Sequence, residues 1–197
     1  MSALALQHVG PEDVGTAVLD RARQGDEEAF ATIVQVYDRR LRGLAYRVLG
    51  DPNRMDDALQ EAYVRAFRAL PRFRGDARLS TWLFRITYNA CLDELARANK
   101  VSYLPLDELA GQASAAPQPG DCLGLRDELA TALAALAPEE RAALVLVDAE
   151  GFDYSAAAKI LGIPVGTVAS RLNRARSSLR TALRPPIHAV PQLSIVS

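Results

Sequence analysis

YSAAAKILGIPVGTVASRLNRARSSLRTALR, residues 154–184, decides how this chain is read. It carries Lys159, Arg171, Arg174, Arg176, Arg180 and Arg184 and no Asp or Glu. A short apolar helix pattern comes first, then a Gly162-Ile163-Pro164 corner, then a second helix pattern rich in arginine. That succession predicts a helix-turn-helix, with positive charge where a phosphate backbone would lie. The whole chain is almost neutral, with 23 Lys and Arg against 24 Asp and Glu. Attraction to DNA depends on where charge sits, so near-neutrality does not argue against it.

On a wheel of about 100° per residue, Val168, Leu172, Ala175, Leu179 and Ala182 share the side of the last helix expected to pack inward. Ala169, Ser170, Asn173, Arg174, Arg176, Ser177 and Arg180 share the other. Small side chains near its start allow close approach to a major groove, and the arginines reach bases or phosphates. Thr167, in the first turn, suits a phosphate held with the helix amides.

Charge is segregated along the chain. Residues 26–100 hold 13 basic and 11 acidic side chains, residues 101–150 hold 2 and 9, and residues 154–184 stand at +6. Different segments are therefore expected to meet different partners. No apolar run reaches the ~18 residues that span a bilayer, and the start of the chain lacks the pattern of a signal peptide. Cys91 and Cys122 form no CxxC pair and point to a reducing compartment. His8 and His188 have no partners at metal-ligand spacing.

Apolar spacing is helical nearly throughout, which predicts an all-α chain. A short helix over 14–24 is followed by a longer one that Asp26 caps, with Glu27 and Glu28 at its positive end. Gly50 stops that helix. Asp51-Pro52 opens the next, which runs to about Leu70 with Leu59, Ala62, Ala66 and Leu70 inward, and Pro71 ends it. Residues 71–79 form a loop, and Ser80 is expected to cap a helix over 81–98.

Periodicity fails over 101–124, read as a flexible linker with room for a short helix over 106–110. Beyond it a second domain covers 125–184: a helix to 137, another from Pro138 to 150, the Asp153-capped first helix of the helix-turn-helix, and the last helix to 183. Residues 13–100 make the first small helical domain, while 1–12 and 185–197 are expected to be disordered. Two separate helical bodies on a flexible tether are the predicted architecture.

In the first domain, Asp57 and Glu61 stand one helical turn apart with Gln60 beside them. Two carboxylates are too few for a metal centre acting on phosphates. Acidic residues near a helix start stabilise any helix, which accounts for Asp56 but not for Gln60. A polar docking patch for a basic partner surface is a third reading.

Asp57-Ala58-Leu59-Gln60-Glu61, Phe67-Arg68-Ala69-Leu70 with Phe73, and Trp82-Leu83-Phe84-Arg85-Ile86-Thr87-Tyr88-Asn89 with Asp93 resemble the first domain of extracytoplasmic-function (ECF) sigma factors of RNA polymerase. Leu136, Pro138, Arg141, Glu150-Gly151, Tyr154, the Ile160–Pro164 corner and the arginines of the last helix are similar to the family's second domain. The resemblance covers residues 20–184, with both motif blocks in the family's order.

The resemblance implies no catalytic residue and no bound cofactor. It implies core RNA polymerase and promoter DNA as partners, an anti-sigma factor as inhibitor, and no membrane insertion. Asp57, Gln60 and Glu61 would dock on the polymerase. Arg72, Phe73, Arg74, Arg78, Trp82, Arg85 and Asn89 would hold the −10 element as melted strand, stacking and cations compensating for lost base stacking. Thr167, Ser170, Arg171, Asn173, Arg174 and Arg176 would read the −35 element as duplex. A bacterial, cytoplasmic stress-response factor is the implied setting.

Departures from the family stand at Ala156, Ala157 and Ala169, where it commonly carries Glu, Ile and a basic residue. The charge following Asp93 is also weaker. A helix-turn-helix regulator with a sensing or dimerising first half is the main rival. It would bind duplex alone, at two-fold half-sites.

Overall fold

The computed structural model describes residues 14–102 and 123–183. The expected disordered ends, the expected short helix over 106–110, Cys122 and both histidines lie outside these residues. Among the described residues every regular element is helical. In chain order these are α1 (Thr16–Arg23), α2 (Glu27–Leu49), α3 (Pro52–Ala69), a 3-10 turn (Leu70–Arg72) and α4 (Leu79–Ser102). After residues 103–122 come α5 (Leu123–Ala134), α6 (Pro138–Leu144), a π-helical turn (Val145–Ala149), α7 (Tyr154–Leu161) and α8 (Val165–Ala182).

Local chemistry sets the helix ends. The Asp26 carboxylate accepts from the Ala29 amide at 3.1 Å, and Asp51 accepts from Arg54 at 2.9 Å with Pro52 in the first turn. Asp153 does the same for α7, accepting from the Ala156 amide at 2.7 Å. Each such cap is worth about 1 kcal/mol. Gly50 and Gly162 end α2 and α7 with φ of 70° and 68°, a region costly for any residue with a Cβ.

Two helix boundaries depart from expectation. Ser80 does not cap α4; it lies inside the first turn and is buried. Leu79 is buried beside it, and the Trp82 amide already donates to the Arg78 carbonyl. Burial of Leu79 draws the helix start back past the polar residue that sequence pattern selects. The helix opened by Pro138 reaches the expected region but widens over Val145–Ala149, the Glu150 amide reaching back to the Val145 carbonyl at 2.9 Å. Such a wide turn re-aims the side chains that follow it.

α1 to α4 pack around Ile33, Tyr37, Leu41, Leu44, Leu59, Leu70 and Phe84, all essentially inaccessible to solvent. Leu59, Ala62, Ala66 and Leu70 lie inward as α3's spacing requires. In the second half, Leu136, Leu144, Leu172 and Ala175 form a smaller cluster. Ala182, expected inward, is exposed, because packing along α8 stops at Leu179.

The two helical domains, on either side of residues 103–122, pack against each other. One apolar core runs from Ile33 and Phe84 through Ala142, Val145 and Leu146 to Ala157, Ile160 and Val168. α4 packs on α7, and α2 packs on α6. Apolar faces on α4 and α7 are buried against each other, a contact that the break in periodicity after residue 100 does not reveal.

Candidate nucleic-acid interface

Three surfaces carry the residues singled out from sequence. The first is the acidic ridge of α3. Asp57 and Gln60 are exposed and Glu61 is half-buried. Arg65 fixes Glu61, its Nε donating to the carboxylate at 2.7 Å while its Nη1 reaches Asp93 on α4 at 2.6 Å. Asp93, and after it Glu61, hold the Arg65 guanidinium more firmly protonated than usual. Behind the ridge the Tyr63 hydroxyl donates to Asp38 at 2.6 Å, and Arg42 bridges Asp38 to Asp56. Burial, and then Asp38, push the Tyr63 pKa well up. These contacts lock α3 onto α2 and α4, so Asp57 and Gln60 project from a rigid support.

The second surface follows α3 into α4. Arg72, Arg74, Arg78 and Arg85 are all exposed, and none forms an ion pair among the described residues. Trp82, Arg85 and Asn89 fall within about 60° on α4 by helical spacing. Asn89 is exposed and Trp82 half-buried. Phe73 does not present its ring as expected. It is 8% exposed and lies beneath Trp82, the ring centroids 5.1 Å apart. An aromatic in a loop that returns to the core packs inward, since burying a Phe is worth ~1.5–3 kcal/mol. Phe73 therefore supports Trp82 from below.

The third surface is α8. Ser170 and Asn173 are exposed, and Thr167 and Arg171 are half-buried. Arg174 is 65% exposed in its side chain and pairs with Glu140 at 2.9 Å. Arg176 is bidentate to Asp148, at 3.0 and 2.6 Å, a bond that raises its pKa further. Arg171 lies near enough to Tyr88 of α4 to oppose the upward shift that burial imposes on the Tyr88 hydroxyl. Sequence reasoning assigned Arg174 and Arg176 to DNA without their acidic neighbours, which helical spacing along α8 cannot reveal.

Sequence reasoning also missed the charged contacts between the halves. Arg40 donates through Nε to the Glu150 carboxylate at 2.7 Å and through Nη2 to the Glu150 carbonyl at 3.3 Å. Its guanidinium lies over the rings of Phe84 and Phe152, 5.3 and 5.9 Å from their centroids. Arg141, buried on α6, donates to the Ala134 and Leu136 carbonyls at 2.8 Å each and to the Arg47 carbonyl at 3.0 Å. Partners more than 90 residues apart leave no local pattern to find. No helix of the described residues is long and apolar enough to cross a membrane.

Comparison with known proteins places the chain in a family. Residues 33–101 match the model of Sigma-70 region 2, and residues 126–179 match that of Sigma-70 region 4. The chain is 38% identical over 159 residues to the ECF RNA polymerase sigma factor SigM of Mycobacterium tuberculosis, covering 81% of this chain and 79% of that one. It is 34% identical over 183 residues to the RNA polymerase sigma-H factor of Pseudomonas aeruginosa, covering 85% and 93%. Among solved structures it is similar to the sigma factor RpoE of Bartonella quintana, seen in complex with the anti-sigma factor NepR. There the TM-score is 0.65, the identity 28%, and the coverage 78% of this chain and 96% of that one. The chain belongs to the extracytoplasmic-function sigma factors, the proteins that direct RNA polymerase to promoters.

Proposed function

We propose that the three surfaces divide the work of initiation. Asp57, Gln60 and Glu61 dock on a basic or polar surface of core RNA polymerase. Arg72, Arg74, Arg78, Trp82, Arg85 and Asn89 hold the −10 strand once it is melted. Thr167, Ser170, Arg171, Asn173, Arg174 and Arg176 meet the −35 duplex. The protein acts by binding alone, without catalysis, in the bacterial cytoplasm. It is restrained by an anti-sigma factor and answers a stress signal.

The observation that carries this reading is the row of four exposed arginines without acidic partners among the described residues, flanking a half-buried tryptophan. Cations left unpaired on a protein surface serve a polyanion, and an aromatic ring among them accepts an unstacked base. The ridge of α3 has the opposite sign and faces a different partner.

Run-off transcription with purified core enzyme, with and without this chain, tests the reading. Initiation that appears only with the chain, on a subset of a broad promoter set, is the expected result. Failure both to bind core and to add initiation on any promoter removes it. Duplex binding at two-fold half-sites without polymerase would favour a regulator instead.

A further inference from the structure

The first turns of α8 present side chains that the division into three surfaces leaves unused. Val165 opens the helix and is 48% exposed, more than any other large apolar side chain among the described residues. Ala169 is half-buried and Asn173 is exposed. Val165, Gly166, Ala169 and Asn173 fall within about 100° on the helix by spacing, and Arg171 and Arg174 fall outside that sector. Ser170, at its border, is turned back on the helix, its hydroxyl donating to the Thr167 carbonyl at 3.0 Å. From Val165 to Asn173 the sector therefore offers two apolar side chains, one bare stretch of backbone and one amide, with no cation.

Gly166 supplies an independent observation. A Cβ built on it would meet nothing within 4 Å, and its φ is not positive. Neither packing nor backbone conformation calls for glycine there, and a helix favours alanine. A side chain whose absence the fold does not use leaves room for close approach to a ligand from outside. The dimensions agree. Val165 to Asn173 spans roughly 12 Å along the axis, the width of a major groove. Arg176 and Arg180 continue the same sector beyond that width, at the level of the phosphates.

We propose that Val165 and Ala169 determine specificity in the −35 contact. Their methyl groups pack on thymine 5-methyls in the major groove, Asn173 takes the N6 and N7 edge of an adenine, and Gly166 lets the first turn close on the bases. The inference rests on α8 as the −35 helix and names the base chemistry that it reads. The thymine 5-methyl is the one methyl on the major-groove edges of the four base pairs, so apolar side chains select it. An Asn amide matches adenine in bidentate fashion, whereas guanine is matched by Arg or Lys, which this sector lacks before Arg176.

The test uses the full chain bound to core polymerase and a promoter library randomised over the −35 segment. Selected duplexes should carry A·T pairs at the centre of that segment. In one selected promoter each −35 thymine is then replaced singly by uracil, which removes only the methyl. At two positions uracil should weaken binding roughly fourfold, the worth of one buried carbon. Val165→Ala should erase the penalty at one of these positions and keep it at the other. Ala169→Arg should turn selection at the other towards guanine. Gly166→Ala should melt at or above the wild-type temperature and yet bind the promoter several-fold more weakly, a combination that a merely structural glycine does not give.

Uracil tolerated at every −35 thymine would overturn the inference, as would a Val165→Ala chain that loses affinity equally on thymine and uracil duplexes. Selection of guanine at the centre by the wild type would overturn it and leave α8 as the −35 helix. A holoenzyme that initiates but selects no −35 sequence would remove both. Val165 and Gly166 are exposed, so their variants should fold; should either fail, the uracil series on the wild type decides alone.

Discussion

Phe73 lies under Trp82, the two rings 5.1 Å apart and tilted by 48°. One ring is buried and the other straddles the surface. The pair therefore splits into a support and a platform, with separable consequences. Phe73→Ala should cost about 3 kcal/mol of stability, through lost burial and the cavity left behind. Phe73→Leu should cost less than about 1.5 kcal/mol and keep function. Trp82→Ala should cost less stability than Phe73→Ala, yet lower run-off from duplex promoters by roughly tenfold, the value of one base–aromatic stack. On a template already melted at −10 its effect should be much smaller. Equal loss on duplex and melted templates would place Trp82 outside the melting step.

The acidic ridge makes a different prediction. Gln60→Ala with Glu61→Ala removes two polar groups from a surface held rigid by Arg65. Core binding should weaken on the order of tenfold, mainly through the lost charge contact. The fold should survive, because Asp93 still holds Arg65 at 2.6 Å. Binding of the full chain to −35 duplex should not change. Comparable losses in both assays would show that the two surfaces do not act separately.

Residue pattern made some of this legible and hid the rest for identifiable reasons. Asp26, Asp51 and Asp153 accept from amides three residues on, and Gly50 and Gly162 donate their own amides to carbonyls four residues back, so spacing alone places the helix ends. The ridge and the arginine row are polar and charged side chains that their helix and loop positions leave at the surface. Ser80 misleads because a cap preference of about 1 kcal/mol is outweighed by burial of Leu79. Phe73 misleads because an aromatic in an arginine-rich loop reads equally as platform or as core. The contacts between the two halves include Arg40 with Glu150 and Arg141 with Arg47, pairs separated by 110 and 94 positions. No local period encodes such pairs.

Cys91 gives the protein a definite alkaline limit. It is wholly buried on α4, and burial pushes its thiol pKa up to about 12. The folded pKa is raised, so this contribution to stability is complete below the unfolded pKa, about 8.5. It is lost as pH rises from there towards 12, because only the unfolded chain releases the proton. Stability should fall by roughly 1.4 kcal/mol per pH unit from this group alone. Tyr63 and Tyr88, raised in the same direction by burial, add to the loss at higher pH. Denaturant melts between pH 8 and 10.5 should be steeper in pH for wild type than for Cys91→Ala. Parallel curves would mean that the thiol already titrates in the folded protein.

Arg176 is offered to DNA and held by Asp148 at the same time. Both bonds of its fork go to one carboxylate, so a phosphate must replace that partner. An exposed pair of this kind is worth about 0–1 kcal/mol, which sets the size of the competition. Asp148→Ala should therefore tighten −35 duplex binding by up to roughly fivefold, the affinity equivalent of the top of that range. It should also steepen the dependence of log affinity on log salt by up to about 0.9, one additional phosphate neutralised. Arg176→Ala should abolish both gains, so that Asp148→Ala with Arg176→Ala binds like Arg176→Ala alone. Glu140→Ala should do less, since Arg174 makes one contact with Glu140 and is already 65% exposed. If Asp148→Ala changed neither affinity nor salt slope, Arg176 would belong to the scaffold of α8, tying it to the π-helical turn rather than to a promoter.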